Sequence, residues 1–207
     1  MSKPRHYKPP LIGKNTIHLD FGCGSVPRNP FGCDRLLTVD TFPYSESIPE
    51  ILIKPGQTIP LESNSISSLS AYDVIEHLSR DYSGKNLFVF YMNELYRVLA
   101  PGGYALFIFP GYPGKDAFSD PTHVNYLTNS SINYFIGNAI PPYYAGIETN
   151  FEKILNHKLR FWKHWFINDY EELKNDQLNI KRKISLFKRS ILRATFPQHR
   201  IWLLRKV

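Results

Sequence analysis

The feature that most constrains the fold of this chain is a short β-rich run at residues 16–20 that stops at a turn containing Gly22 and Gly24. A buried strand of a parallel sheet has this pattern, because its apolar run is short and ends where glycines let the chain turn tightly. Three similar runs follow at residues 36–40, 50–54 and 66–74. The repetition predicts strands separated by connections along the first half of the chain.

The rest of the chain carries helical signals and further strands. An amphipathic segment at 85–99 predicts a helix that ends before Pro101-Gly102-Gly103, and the apolar run 104–109 predicts another strand. The later pattern is looser and predicts a short helix at 128–135, strands at 158–166 and 200–207, and a helix at about 169–194. Strands that alternate with helices indicate an α/β fold with a mostly parallel sheet covered on both faces.

Composition limits the class of protein. A chain of 207 residues that is 43% hydrophobic can bury a full core, so we expect one domain over residues 1–207. There is no apolar run of about 18 residues and no signal-peptide pattern, which predicts a soluble, cytoplasmic protein. Cys23 and Cys33 are too few for a disulfide framework or a zinc module, and we expect both to be reduced thiols.

Positive charge is concentrated in the C-terminal quarter. Residues 151–207 hold 14 basic and 5 acidic residues, a net charge of +9, whereas residues 1–150 have a net charge of −2. Residues 179–194 place apolar side chains on one helical face and basic side chains on the others. This predicts either a helix that meets an anionic membrane surface or a phosphorylated acceptor, or a surface helix with solvated lysines. The aromatic run 161–166 predicts a core strand.

A nucleotide-type site is predicted where the first two strands end. Gly22 and Gly24 follow the first strand directly, and Asp40 ends the second, where its carboxylate can accept hydrogen bonds from ribose hydroxyls. Such a pair fits a dinucleotide or S-adenosylmethionine. A dinucleotide fingerprint needs a third glycine three residues further on, and Pro27 occupies that position. The sequence therefore disfavours NAD.

Four segments together resemble the class I S-adenosylmethionine-dependent methyltransferases, in particular the small type 11-like members. They are Leu-Asp-Phe-Gly-Cys-Gly at 19–24, Ile-Pro-Leu-Glu-Ser-Asn-Ser at 59–65, Ala-Tyr-Asp-Val-Ile-Glu-His-Leu at 71–78, and Glu-Leu-Tyr-Arg-Val-Leu-Ala-Pro-Gly-Gly at 94–103. The resemblance covers a cofactor-binding core of about residues 16–126 and leaves residues 127–207 for substrate or cap elements. It implies a Rossmann-like fold with a seven-stranded, mostly parallel sheet and helices on both faces.

The resemblance also implies an activity and a cofactor site. The expected enzyme moves a methyl group from S-adenosyl-L-methionine to an oxygen or nitrogen of a small acceptor, with a sugar of glycan biosynthesis as one candidate. Asp40 would hold the ribose, and Thr41 and Phe42 would lie near the adenosine. The residues implied for the methionine end are Asp20, Gly22, Cys23, Gly24, Tyr72 and Asp73.

The sequence departs from the family pattern at two places. Pro27 and Pro30 leave little room for the long helix that usually follows the glycine loop, so the first connection should be short or irregular. The acidic residue usual for the adenine amine is missing from residues 54–58, where Gln57 or backbone amides would have to substitute.

His77 and His123 are the candidate catalytic residues. Both follow strands at the carboxyl edge of the sheet, and a histidine can take a proton from a hydroxyl or amine near neutral pH. The alternative is that both make structural hydrogen bonds. Asp73, Glu76, His77 and His123 also resemble the metal site of small-RNA 2′-O-methyltransferases, whose pattern is Glu-x-x-Glu-His with a later histidine.

That second resemblance does not assign a metal. Glu-His after the fourth strand also occurs in related family members that use no metal, so we predict S-adenosylmethionine as the cofactor and no metal ligand. A metal-assisted RNA 2′-O-methyltransferase stays open as an alternative because the C-terminal quarter is basic, although no RNA-binding module is apparent. A non-catalytic binding protein that keeps the cofactor fold is the third possibility.

Overall fold

A computed structural model describes residues 15–137, 146–160 and 198–207. These residues form one seven-stranded sheet in the order β3-β2-β1-β4-β5-β7-β6. The strands are β1 (Ile17–Phe21), β2 (Arg35–Asp40), β3 (Ile51–Leu52), β4 (Ile66–Tyr72), β5 (Leu99–Pro110), β6 (Phe151–Arg160) and β7 (Gln198–Lys206). The helices are α1 (Leu87–Val98) and α2 (Asp116–Ser119), and a 3₁₀ turn spans Ser131–Tyr134.

Strands β1 to β5 are parallel, and β7 runs antiparallel to both β5 and β6. The predicted seven-stranded, mostly parallel sheet is therefore confirmed. From β1 the chain adds β2 and β3 on one side and then returns to place β4 on the other. This reversal opens a crevice at the carboxyl ends of β1 and β4, which is where parallel α/β sheets bind ligands.

Helix α1 lies on one face of the sheet. Asn86 caps it by accepting a hydrogen bond from the Val89 N–H at 3.2 Å. Its inward face, which includes Met92 and Leu95, is fully buried in the larger of two apolar clusters. Burying such a side chain contributes about 1.5–3 kcal/mol.

No helix in the described ranges is long and apolar enough to cross a membrane.

The first connection has no helix, as the two prolines predicted: residues 22–34 are turns and irregular chain. Several elements differ from the sequence expectation, and the strand expected at 50–54 is only two residues long. Strand β5 begins at Leu99 and includes the Pro-Gly-Gly segment, because Gly102 has φ +78° and the register with β4 shifts there. The helix expected at 128–135 is the single 3₁₀ turn.

The strand expected at 158–166 overlaps β6 (Phe151–Arg160) only at residues 158–160, because β6 begins seven residues earlier. It is the edge strand of the sheet, and exposed charged residues such as Glu152 and Lys153 obscured its start. The expected C-terminal strand at 200–207 is confirmed as β7. The helix expected at 169–194, with its basic segment 179–194, and the aromatic run 161–166 lie outside the described residues.

Candidate cofactor and acceptor site

The glycine loop packs tightly against the loop that follows β4. The N–H groups of Gly22 and Cys23 donate to the Val39 carbonyl at 2.8 and 3.3 Å. Gly22 has φ +69°, and a Cβ there would lie 2.2 Å from Cγ2 of Val74. Gly24 also has positive φ, +57°, but a Cβ there would meet nothing within 4 Å. Gly22 is thus required by contact with the protein itself, while Gly24 borders open space.

Asp40 joins the glycine loop to the end of β2. Its Oδ2 accepts the Gly24 N–H at 3.0 Å, and its Oδ1 accepts the Thr41 and Phe42 N–H groups at 2.6 and 3.4 Å. The carboxylate is half-buried and keeps lone pairs for further donors. Phe42 is 61% exposed and packs edge-on against Tyr44. Strand β2 and the glycine loop therefore present one carboxylate and one aromatic ring at the crevice.

Asp20 is buried below the loop rather than exposed in the crevice. Its Oδ2 accepts the Arg28 N–H at 2.8 Å, and its Oδ1 accepts the Ser70 hydroxyl at 2.8 Å. Burial raises the pKa of the Asp20 carboxyl to about 6, against the opposing effect of these hydrogen bonds. Asp20 thus fixes the path of the glycine loop.

Burial likewise raises the pKa of the Cys23 thiol to about 12, so Cys23 is an inert buried thiol here.

A chain of hydrogen bonds continues from Asp20 between β1 and β4. Because Ser70 donates to Asp20, its oxygen must accept from Nε2–H of His18, at 2.8 Å. Nδ1 of His18 then accepts from the Ser68 hydroxyl, also at 2.8 Å. The Ser68 oxygen in turn contacts Sγ of Cys33 at 3.2 Å. This buried chain satisfies a neutral His18 completely and holds the end of β1 in register with β4.

Arg28 is a site residue that the sequence analysis missed. It follows the glycine loop, is buried, and places its guanidinium carbon 4.7 Å from the centre of the Tyr72 ring. Neither Nε of Arg28 nor the Tyr72 hydroxyl has a hydrogen-bond partner among the described residues. A buried cation therefore stands at the carboxyl ends of β1 and β4. Only the irregular path of residues 22–34 brings it there, and no spacing rule signals that path.

Asp73 turns the chain away from β4. It has φ +52°, and its N–H donates to the Ile108 carbonyl at 2.8 Å. Its Oδ1 lies 3.0 Å from Nε2 of His199, which β7 contributes. Asp73 is thus paired outside the histidine cluster described next. His199, 126 residues away in sequence, was also missed because nothing local links it to the motif.

The structure brings His77 and His123 together with Glu76. The two imidazole rings meet edge to face with their centres 4.7 Å apart. Each of the three side chains has one potential metal-ligand atom, a carboxylate oxygen or an imidazole nitrogen, and these atoms lie within 4.8 Å of one another. The prediction that both histidines lie at one site at the carboxyl end of β4 agrees with this geometry, whereas the four-residue pattern with Asp73 is reduced to three.

Hydrogen bonds fix the proton positions on both histidines. The Thr122 hydroxyl donates its one hydrogen to Asp120 at 2.6 Å, so it must accept from Nδ1–H of His77, at 2.9 Å. Nδ1 of His123 faces the Ala117 carbonyl at 3.2 Å and must donate to it. In the neutral form, each ring then carries its lone pair on Nε2, and Nε2 of His123 lies 3.8 Å from Oδ2 of Asp120. Burial, and then the neighbouring His123, lower the pKa of His77, which favours this neutral form.

Glu76 is buried at 1% exposure, and neither of its carboxylate oxygens has a hydrogen-bond partner among the described residues. Burial, and then the charges of Asp73 and Asp120, raise the pKa of Glu76 to about 9. Its backbone carbonyl accepts the N–H groups of Val124 and Asn125 at 2.9 and 3.0 Å. Two hydrogen bonds therefore hold the backbone of Glu76, while its buried side chain has no partner among the described residues.

Asn125 joins the two loops and was not identified from the sequence. Its side-chain amide donates to the carbonyls of Ile75 and Leu78 at 2.9 and 2.7 Å. Beside it, the exposed rings of Phe118 and Tyr126 stack with centres 5.0 Å apart and planes 15° apart. The loop that carries His123 thus also presents a flat aromatic surface.

Comparison of the whole structure with solved structures identifies the fold. A putative methyltransferase from Bacillus halodurans aligns with a TM-score of 0.53 at 14% identity, over 95% of this chain and 94% of that one. An S-adenosylmethionine-dependent methyltransferase from Archaeoglobus fulgidus aligns at 0.53 and 15%, over 92% and 86%. The chain has the class I methyltransferase fold.

The same fold also occurs in a [4+2]-cyclase, SpnF, which aligns with a TM-score of 0.53 at 13% identity over 95% of this chain and 76% of that one. No family model and no curated protein matches the sequence. At identities this low, the structural alignments establish the fold alone. The chemistry must be argued from the site itself.

Proposed function

We propose that this protein is an S-adenosylmethionine-dependent methyltransferase that acts on an oxygen or nitrogen of a small acceptor. The observation that carries the proposal is the bond between Asp40 and the Gly24 N–H, which places a half-exposed carboxylate beside an open glycine turn. Ribose hydroxyls need an acceptor of this kind at the end of β2. The class I methyltransferase fold supports the assignment.

The described residues fit the cofactor in charge as well as in space. Asp40 would hold the ribose, the backbone around Gly24 would pass close to the ligand, and Phe42 would lie against the adenosine. Arg28 offers a buried positive charge whose Nε has no described partner, suited to the carboxylate of the methionine end. When bound, S-adenosylmethionine supplies a methyl group on a sulfonium, which is a good leaving group. Gln57 is less suited to the adenine, because its Oε1 already accepts the Lys54 N–H at 3.0 Å.

We propose that the acceptor binds over the histidine cluster. In our proposal His77 and His123 orient the acceptor and receive its proton through the lone pairs on Nε2, and in-line positioning supplies most of the remaining rate. The stacked pair Phe118 and Tyr126 supports an acceptor with a ring, such as a sugar, because aromatic side chains bury flat ring faces well. We propose one domain, with the basic C-terminal quarter drawing phosphorylated acceptors or an anionic membrane surface.

Calorimetry with S-adenosylhomocysteine tests the cofactor assignment. Asp40→Ala should weaken binding by roughly 1.5–3 kcal/mol, the scale of losing a charged hydrogen-bond partner. Glu50→Ala is the matched control, because that exposed carboxylate pairs with Arg35 away from the glycine loop. NAD should not bind. Binding of S-adenosylhomocysteine that is equal in the wild type and Asp40→Ala would exclude this site.

A further inference from the structure

A second ligand site is indicated by three side chains that are all of metal-binding type. Glu76, His77 and His123 offer a carboxylate oxygen and two imidazole nitrogens within 4.8 Å of one another. Within residues 15–137, 146–160 and 198–207 it is the one such cluster of three. Two short loops, after β4 and after α2, are held together by Asn125 to form it.

The first argument for a ligand is the unsatisfied carboxylate. Buried polar groups in folded proteins nearly always have a partner, and an unpaired buried carboxyl costs free energy. Both side-chain oxygens of Glu76 lack a partner among the described residues, although its backbone is held by two hydrogen bonds. A buried carboxyl that has no partner, on a backbone that is hydrogen-bonded, is typical of a residue that binds a ligand.

The second argument is the orientation of the histidines. A metal-bound histidine usually donates its other N–H to a carbonyl or carboxylate, which fixes the nitrogen that carries the lone pair. His123 donates Nδ1–H to the Ala117 carbonyl, and His77 donates Nδ1–H to Thr122, which donates to Asp120. When the rings are neutral, these bonds leave both Nε2 atoms to act as ligands, with Oδ2 of Asp120 3.8 Å from Nε2 of His123.

We propose that Glu76, His77 and His123 bind one divalent transition-metal cation, such as Zn²⁺ or Mn²⁺. Two imidazoles with one carboxylate favour these ions over Ca²⁺ and Mg²⁺, which prefer all-oxygen sites. Ligands at about 2.1 Å from a cation lie roughly 3–3.5 Å apart, so small side-chain rotations would close the site. Three protein ligands leave a coordination position open.

The open position gives the cation a role toward the acceptor. A hydroxyl oxygen bound there would lose its proton to solvent water more readily, because a divalent cation stabilises the negative charge that develops on the oxygen. The two histidines would then be ligands, so this role replaces their proposed role as proton acceptors. This role rests on the proposed methyl transfer, whereas binding of the cation does not. An acceptor with two neighbouring oxygens, as in a sugar, would be held best.

The test is metal binding by the whole 207-residue chain, untagged and without any cofactor. Calorimetry with Zn²⁺ and Mn²⁺, and the visible absorption of added Co²⁺, should show one site per chain. His77→Ala and Glu76→Gln should each weaken binding more than tenfold. Thr122→Val keeps all three ligands but removes the hydroxyl that links Nδ1 of His77 to Asp120, and it should weaken binding by about 10–100-fold. Circular dichroism of each variant confirms folding, and exposed His77 is the substitution least able to disturb it.

His157→Ala is the matched control, since His157 is exposed on the edge strand β6, outside the cluster. It should leave the affinity unchanged. Absence of one-site binding in the wild type, or equal affinities in wild type and cluster variants, would overturn the proposal. Titration with S-adenosylhomocysteine on the same samples separates the two proposals, because either ligand can bind while the other fails.

Discussion

At the scale of single residues, two glycines that both have a positive φ angle serve different purposes. Gly22 and Gly24 both have positive φ, which L-residues with a Cβ adopt only at a cost. Gly22 in addition faces Val74 so closely that no side chain fits, whereas Gly24 has open space where a ligand would lie. The motif therefore combines a packing requirement with a binding requirement.

Alanine substitutions separate the two requirements. Gly22→Ala should lower the free energy of unfolding by about 2–4 kcal/mol, because it adds a clash with Val74 to the cost of positive φ. Gly24→Ala, the matched control for φ, should cost only about 1–2 kcal/mol. In a Val74→Ala background the extra loss at Gly22 should shrink. Urea denaturation measures the two glycine variants, Val74→Ala and the double variant with Gly22→Ala. Equal losses at the two glycines would contradict the packing argument.

The two histidines give a residue-scale prediction for turnover. Alanine at His77 or His123 should lower methyl transfer about 100-fold or more while affinity for S-adenosylhomocysteine stays near wild type. The reason is that both side chains lie in loops after β4 and β5, whereas the proposed ribose contact is Asp40 at the end of β2. Activity is measured with radiolabelled methyl donor once an acceptor is found. Normal turnover in both variants would make the histidines structural, and loss on adding a chelator favours metal ligation over a free base.

At the scale of elements, β1 and β4 are joined by a buried polar chain as well as by their backbone ladder. His18 bridges Ser68 and Ser70 through its two ring nitrogens, and Ser70 continues the chain to Asp20. Burial lowers the pKa of His18 to about 3 from an ordinary value of 6.5. The chain requires the neutral ring, because Nδ1 accepts a hydrogen bond.

This row of buried hydrogen bonds makes the stability of the fold depend on pH. As pH falls below 6.5, unfolded His18 takes up a proton that the folded state excludes, so stability is lost on acidification. Compared with His18→Gln, the wild type should lose up to about 1.4 kcal/mol of unfolding free energy per pH unit between pH 6 and 4. Urea denaturation at a series of pH values measures the difference.

Asp20 provides a control, because its contribution to stability should change with pH in the opposite direction to that of His18. Its folded pKa, raised to about 6, lies above the ordinary 3.8, so the folded state binds the extra proton between these values. Relative to Asp20→Asn, the wild type should therefore lose stability as pH rises from about 4 to 6. Parallel pH profiles for wild type and either variant would show that the chain carries no proton linkage.

At the scale of the whole molecule, charge and cofactor motifs occupy different parts of the chain. The cofactor motifs lie within a stretch of net charge −2, and the C-terminal 57 residues have a net charge of +9. A field of this size attracts phosphates and anionic surfaces and weakens as salt screens it.

Neutralising part of this charge should weaken association with anionic vesicles and leave S-adenosylhomocysteine binding unchanged. The substitutions are to glutamine at Lys181, Arg182, Lys183, Lys188 and Arg189. Added salt should have the same effect as the substitutions. Glutamine at exposed Lys54 and Lys115 is the control and should change nothing. Vesicle sedimentation measures binding, and an unchanged result for the five-fold variant would mean that these residues are a solvated face.

The sequence by itself determined the parallel sheet and the positions of the motifs on it. Short apolar runs that end in Gly22 or Asp40 are local signals, because a strand and the turn after it are set by neighbouring residues. The irregular first connection was predicted for the same reason, since prolines act on their own backbone. Boundaries failed where the sheet edge removes the apolar pattern, as at the start of β6.

Only the tertiary structure decided which polar side chains meet. Arg28 reaches Tyr72 through an irregular loop, His199 reaches Asp73 across 126 residues, and Asn125 joins two loops that the sequence treats separately. It also placed Asp20 under the loop instead of in the crevice. Hydrogen bonds and desolvation depend on what surrounds an atom in space, and a linear pattern of residue types does not contain that information.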